Sequence, residues 1–274
     1  MGRAATERRR MKRLGIVPHL YAQPLFYGLK RQEDPPLFEL VESRQAGTAD
    51  LALKLRHAQL DGAFLSPIDY AREYSRYRIL PSVGVLSEGE SSTVCLLFHE
   101  SLRRVDSIAI DPSAGSEVVL AHLIFAEKYD SVPKMVPMIG TPEEALGKGD
   151  AVLLLGDSAR EVRGRKNKLD LVDEWNDMTG LPYVHGFWTV PEDALSVTEL
   201  RLIVESGRKG ASDPESISRD TGYLRNFRYD LNEEALASLA EFFRMAFYHG
   251  ILKDIPDIRL HDLDAHPLSA ARLN

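Results

Sequence analysis

The residues able to do chemistry in this 274-residue chain are mostly small hydroxyls and turns placed where apolar runs end. They are Ser66, Ser91 and Ser92 with Thr93, Ser113 and Ser116, and Asp157 with Ser158. Groups of this kind orient an anion and stabilise growing negative charge, and they supply no strong base. Ser113 to Ser116 make the strongest case, because they open a helix whose first N–H groups and positive dipole end suit a carboxylate or phosphate. Capping accounts for the same serines, since Ser is a leading N-cap residue. Glu117 complicates anion binding there, because a carboxylate in the first turn already uses the dipole. A second group, His19, Tyr21 and Gln23, follows the short apolar run Leu14 to Val17, which breaks at Pro18 before a helix begun by Pro24. The carboxyl end of such a strand is where an open α/β sheet presents ligand-binding groups, although a βα turn that merely packs reads the same way.

Other chemistries lack their signatures. The eight histidines show no metal-ligand spacing, so no metal is expected. There is no GxxxxGK phosphate loop and no GxGxxG after a strand, and no cofactor is expected. Cys95, the single cysteine, sits in an apolar strand, where an inert buried thiol is the plain reading, and it excludes a disulfide framework. A net charge of -7 argues against nucleic acid as a partner. No run reaches the roughly 18 apolar residues needed to span a membrane. Arg8 to Arg10 with Lys12 and Arg13 imitate the start of a secretion signal, but no apolar core follows, so residues 1 to 11 read as a disordered basic arm.

The elements that must position these residues alternate in an α/β pattern. Strands are predicted at 37–41, 61–66, 79–86 and 93–98, with helices at 47–59 and from Pro67. From about Asp106 a second unit begins: strand, Pro/Gly turn, helix from Ser116, helix 141–146, and strand 151–155 ending in Gly156, Asp157 and Ser158. After the charged run 160–168, the stretch 169–190 ends in a strand. Such alternation implies a largely parallel sheet with helices on its faces. The last third is mostly helical, with Asn232 as an N-cap, Gly250 as a stop, and Ser206 to Asp220 as a loop or surface helix.

LGIVPHLYAQPLFYGL, LDGAFLSPIDYAREY, SEGESSTVCLLF, AIDPSAGSEVVL, LLLGDSA and above all LVDEWNDMTGLPYVHGFW resemble the chorismate dehydratase family of the futalosine route to menaquinone. The resemblance runs from about Leu14 to Leu252 with the motifs in the same order. It implies a type II periplasmic-binding-protein-like fold, with two α/β lobes closing over a small carboxylate-bearing metabolite. The implied lobes are 12–102, 103–190, and a return of the first over 191–274. The relatives are cytoplasmic lyases, so a cytoplasmic enzyme is implied, removing water from chorismate to give 3-[(1-carboxyvinyl)oxy]benzoate. By the same resemblance Tyr21 and Thr93 stand at catalytic positions, and His19, Ser66, Ser92, Ser113, Ser116 and Asp157 bind substrate. The chain departs from the family at two places. Tyr21 replaces an asparagine, and Ala114, Gly115, Ser116 and Glu117 replace serine, arginine, threonine and serine. The lost arginine is a natural carboxylate partner. A related lyase on another small acid, as in the futalosine-derived naphthoate synthase step, or a non-catalytic binding protein, fits these departures too. Glu117 or Tyr21 filling the cleft would count against chorismate.

Overall fold

A computed structural model describes residues 10–99 and 104–264. The expected arm over residues 1–11 therefore lies almost wholly outside the described residues. In chain order the elements are β1 (Lys12–Ile16), α1 (Gln23–Phe26), β2 (Phe38–Glu42), α2 (Ala49–Arg56), β3 (Gly62–Leu65), α3 (Pro67–Ala71) and β4 (Tyr77–Ser87). There follow β5 (Val94–Phe98), β6 (Ser107–Ile110), α4 (Ser116–Tyr129), β7 (Lys134–Pro137), α5 (Pro142–Leu146), β8 (Ala151–Leu155), α6 (Asp157–Glu161), β9 (Lys168–Asp170) and α7 (Leu171–Thr179). The chain closes with β10 (Tyr183–Pro191), α8 (Val197–Ser212), α9 (Thr221–Leu224), β11 (Phe227–Arg228) and α10 (Glu233–Tyr248).

Local chemistry explains the main boundaries. Residues 62–65 are buried throughout, as a strand covered on both faces requires, and Pro67 then opens α3 where no N–H is needed. Asn232 caps α10 by accepting the N–H of Ala235, and Ser196 with Glu199 forms a capping box on α8. The polar segment from Ser206 to Asp220 divides: Ser206 to Ser212 complete α8, with Ser206 and Gly207 buried, and a short turn of helix follows at Pro214–Ser216.

Two sheets result, ordered β11-β4-β10-β3-β1-β2 and β7-β6-β8-β5-β9. Both are mixed rather than largely parallel. β1 runs parallel to β2 and β3, and β6 to β7 and β8, but β10 is antiparallel to β3 and β4, and β5 to β8 and β9. The antiparallel strands β5 and β10 are the ones that enter each sheet from the other, so their direction is set by the crossing rather than by a βαβ unit. The crossings fall near 88–93 and 171–182, so Val94–Phe98 pairs in the second sheet and Tyr183–Pro191 in the first. No helix among the described residues is long and apolar enough to cross a membrane.

One hydrophobic core joins the two sheets: Leu14, Phe64 and Trp188 of the first belong to the same buried cluster as Leu96, Ile108 and Leu153 of the second. The sides also touch directly. Gly47, just before α2, donates its N–H to Ser113 Oγ at 3.0 Å, and a Cβ on Gly47 would lie 1.9 Å from the Ser113 carbonyl oxygen.

Candidate functional site

The turn after β1 is held by its own side chains. Gln23 Nε2 donates to the carbonyls of Val17, Pro18 and His19 at 2.8 to 3.1 Å, and Tyr229 Oη donates to Tyr21 O at 3.0 Å. His19 Nε2 lies 2.7 Å from Ala46 O, so that nitrogen carries the proton and Nδ1 faces Gly156. Only glycine fits at 156: its φ is +54°, and a Cβ would stand 2.3 Å from His19 Nδ1.

The turn places Tyr21, 8 % exposed, among rings. It stacks on His19 with centroids 5.5 Å apart, lies 5.2 Å from His185 and 5.7 Å from Phe227. Tyr223 packs on Phe227, and Tyr183 lies edge-on to His185. Burial, then the charges of Glu117, Tyr223 and Asp157, holds the Tyr21 hydroxyl well above its ordinary value, so it stays a donor. Burial pushes His185 down to about 3, leaving a neutral ring whose Nε2 is 2.7 Å from Ser87 Oγ.

Glu117, in the first turn of α4, is 9 % exposed, and its charge acts on Tyr21 and Tyr183. Its carboxyl lies over the backbone N–H groups of Glu117 and Gly115, which favour its charged form. Burial nevertheless pushes it up to about 7, and the charge of Asp69 adds to the rise. Its Oε2 is buried with no hydrogen-bond partner, as is Tyr223 Oη, while Asp157 Oδ1 faces Arg160 Nε at 3.6 Å. Buried polar atoms are almost always partnered, by water or a ligand where the protein offers nothing. Both groups, Glu117 and Tyr223, act through their charge on the Tyr21 hydroxyl.

The serines singled out from the sequence lie close by with their hydroxyls largely used. Ser116 Oγ accepts the N–H of Ile68 at 2.8 Å, and Ser66 Oγ donates to Asp69 Oδ2 at 3.0 Å, where Thr48 Oγ1 also donates. Ser113 Oγ donates to Asp111 and takes the N–H of Gly47. None of these serines caps α4: its N-cap is Gly115, with no side-chain bond. Ser92 and Thr93 belong to the first crossing. Ser92, at φ +55°, gives its N–H to Asp170 Oδ2, and Thr93 pairs with Ser91 through their hydroxyls while its carbonyl takes the N–H of Gly156. Asp157 opens α6, 3.6 Å from Arg160 Nε, and Arg160 is also bound to Asp220. His185, Tyr183 and Phe227 reach Tyr21 only through strand pairing, and Tyr223 through the packing of α9, neither of which any spacing in the chain encodes. The nearest signal was the apolar stretch TyrValHisGlyPheTrp, whose lone histidine sits inside a buried strand.

A family model described as menaquinone biosynthesis matches residues 12–248, nearly all the described chain. The chain belongs to that family. Its members' role in the menaquinone pathway therefore extends to this protein. Among solved structures, AF1704 of Archaeoglobus fulgidus superposes with a TM-score of 0.68 at 21 % identity, covering 89 % of this chain and all of that one. A Candida albicans protein described as having the generic periplasmic binding protein fold gives 0.65 at 12 % identity, over 90 % and 92 %. The aliphatic sulphonate binding protein SsuA of Escherichia coli gives 0.60 at 12 % identity, over 96 % and 97 %. These likenesses establish a periplasmic-binding-protein fold for this family member.

Proposed function

We propose that the chain is a carbon–oxygen lyase of the chorismate dehydratase kind, removing water from a ring acid in the menaquinone pathway. The observation that supports it is convergence: Tyr21 lies against His19 and His185, and the charges of Glu117, Tyr223 and Asp157, each from another stretch of the chain, act on its hydroxyl. In chorismate the proton on the ring carbon bearing the enolpyruvyl ether is vinylogous to the ring carboxylate. Its transfer to the substrate's own side-chain carboxylate gives a dienolate that expels the neighbouring hydroxyl, and the same proton, passed to the departing oxygen, makes water and leaves an aromatic ring. Such a reaction asks mainly for orientation and for donors beside the growing charge. Tyr21, held protonated, is one such donor, and Tyr183, kept protonated by burial next to Glu117, is another.

One observation favours a second reading, in which the substrate is another small acid with fewer charges, or the protein binds without reacting. Glu117 and Tyr21 are buried in the cleft, and Glu117 already lies over the N–H groups where a ligand carboxylate would sit. Incubation with chorismate, followed by mass spectrometry of the product, separates the two. Enzyme-dependent 3-[(1-carboxyvinyl)oxy]benzoate, reduced at least tenfold in Tyr21→Ala, upholds the dehydratase. No product together with no thermal stabilisation by chorismate moves the assignment to the second reading, because a ligand binding only the native state must stabilise it.

A further inference from the structure

We propose that a carboxylate ligand enters this cleft only together with a proton, and that Glu117 carries it. The proposal deepens the dehydratase reading, from which it takes the ligand's carboxylate. Three observations lead to it. α4 is 14 residues long, and the Glu117 carboxyl lies over its opening N–H groups at Gly115 and Glu117, where a helix start favours an anion. Glu117 Oε2 is buried and bonds nothing in the protein. Among the described residues, Arg160 beside Asp157 gives its Nη1 to Asp220 at 2.9 Å and stands 3.6 Å from Asp157 through Nε, so two carboxylates already share its charge.

Two carboxylates at one buried site cannot both be ionised, and the stable arrangement is one proton shared between them. A protonated Glu117 keeps its carbonyl oxygen over the α4 N–H groups and gives its O–H to the ligand. The free Oε2 then gains its missing partner. An ionised Glu117 offers only acceptors and repels the ligand. The groups facing it are Asp69 on α3, Tyr21, and Tyr183 on β10, while His19, His185, Tyr223 on α9 and Asp157 at the start of α6 surround Tyr21 in turn. The three tyrosines stay protonated and His185 stays neutral around neutral pH, so they neither accept nor release the proton. The placement of the Glu117 value at about 7 puts the change within reach of ordinary buffers.

The test is isothermal titration from pH 6 to 8.5 with chorismate, and with benzoate as a minimal carboxylate, in buffers of different ionisation heat. Affinity should fall about tenfold per pH unit above 7, with uptake of about one proton per ligand. Glu117→Gln, a neutral isostere, should bind with a flat profile and more than tenfold tighter than the wild type at pH 8.5. His19 is intact in that variant, so a flat profile assigns the proton to Glu117. Binding without proton uptake by the wild type, or no gain in the Gln variant at pH 8.5, overturns the proposal. So does failure of both probes to bind either protein. Proton-linked binding of benzoate with none of chorismate upholds it while removing the dehydratase reading. The wild-type proton count needs no variant, so it decides the matter even where Glu117→Gln folds poorly.

Discussion

Glu117 is a buried carboxyl whose surroundings set its protonation. A carboxyl whose folded value is raised from 4.5 to about 7 binds its proton more firmly in the folded state than in the unfolded chain. Stability from this group is therefore highest below about pH 4.5 and is lost as pH rises through 7. Glu117→Gln removes that loss: the variant should match the wild type near pH 4 and exceed it by roughly 1–3 kcal/mol at pH 8. Urea midpoints at the two pH values measure it, and an equal difference at both would show that burial of the charge is not the cause. Gly156 is the second residue on which the site depends. Gly156→Ala meets both a left-handed φ of +54° and the His19 ring, with a Cβ 2.3 Å from Nδ1. It should cost roughly 1–3 kcal/mol and displace His19 from Tyr21. A shift of the His19 ring signals in NMR, absent from a control substitution at exposed Gly164, is the expected readout.

At the scale of elements, Asp170 links both crossings between the sheets. Its Oδ2 takes the N–H of Ser92 at 2.6 Å, while Oδ1 takes those of Val172 and Asp173 as the N-cap of α7. Asp170→Ala should cost roughly 1–3 kcal/mol, the sum expected of a lost cap and an orphaned buried N–H. It should also raise hydrogen exchange at Ser92 and Val172 first, and exchange spread evenly over both sheets would contradict this hinge role. The elements were the part most legible in the chain itself. β3, β8, α4 and α10 announced themselves by apolar runs, Pro67 and Asn232, because those signals are local. The same locality explains what stayed hidden. Ser66, Ser113 and Ser116 carry the right chemistry for anion binding, yet their hydroxyls bond Asp69, Gly47 and Ile68. The last two partners lie 66 and 48 residues away. Whether a hydroxyl faces a ligand or a distant turn is decided by how the sheets meet, and no spacing encodes that.

At the scale of the whole molecule, the way the sheets meet decides how the protein unfolds. A chain crossing twice between two sheets could unfold in two steps. Here the buried cluster is continuous from Leu14 and Phe64 through Trp188 to Ile108 and Leu153, and the Gly47–Ser113 contact closes the sheets on one another. Breaking either half exposes apolar surface of the other, at about 25 cal/mol per Å². Calorimetry should therefore give one transition whose calorimetric and van't Hoff enthalpies agree, the mark of cooperative unfolding. Gly47→Ala is the variant that should divide it. Its Cβ falls 1.9 Å from the Ser113 carbonyl, so the sheets must separate there to admit it, while each retains its own hydrogen bonds. A broadened or split transition in Gly47→Ala, with a weaker shift on ligand addition, would place closure in this contact. A single transition displaced without broadening would assign cooperativity to the shared core alone.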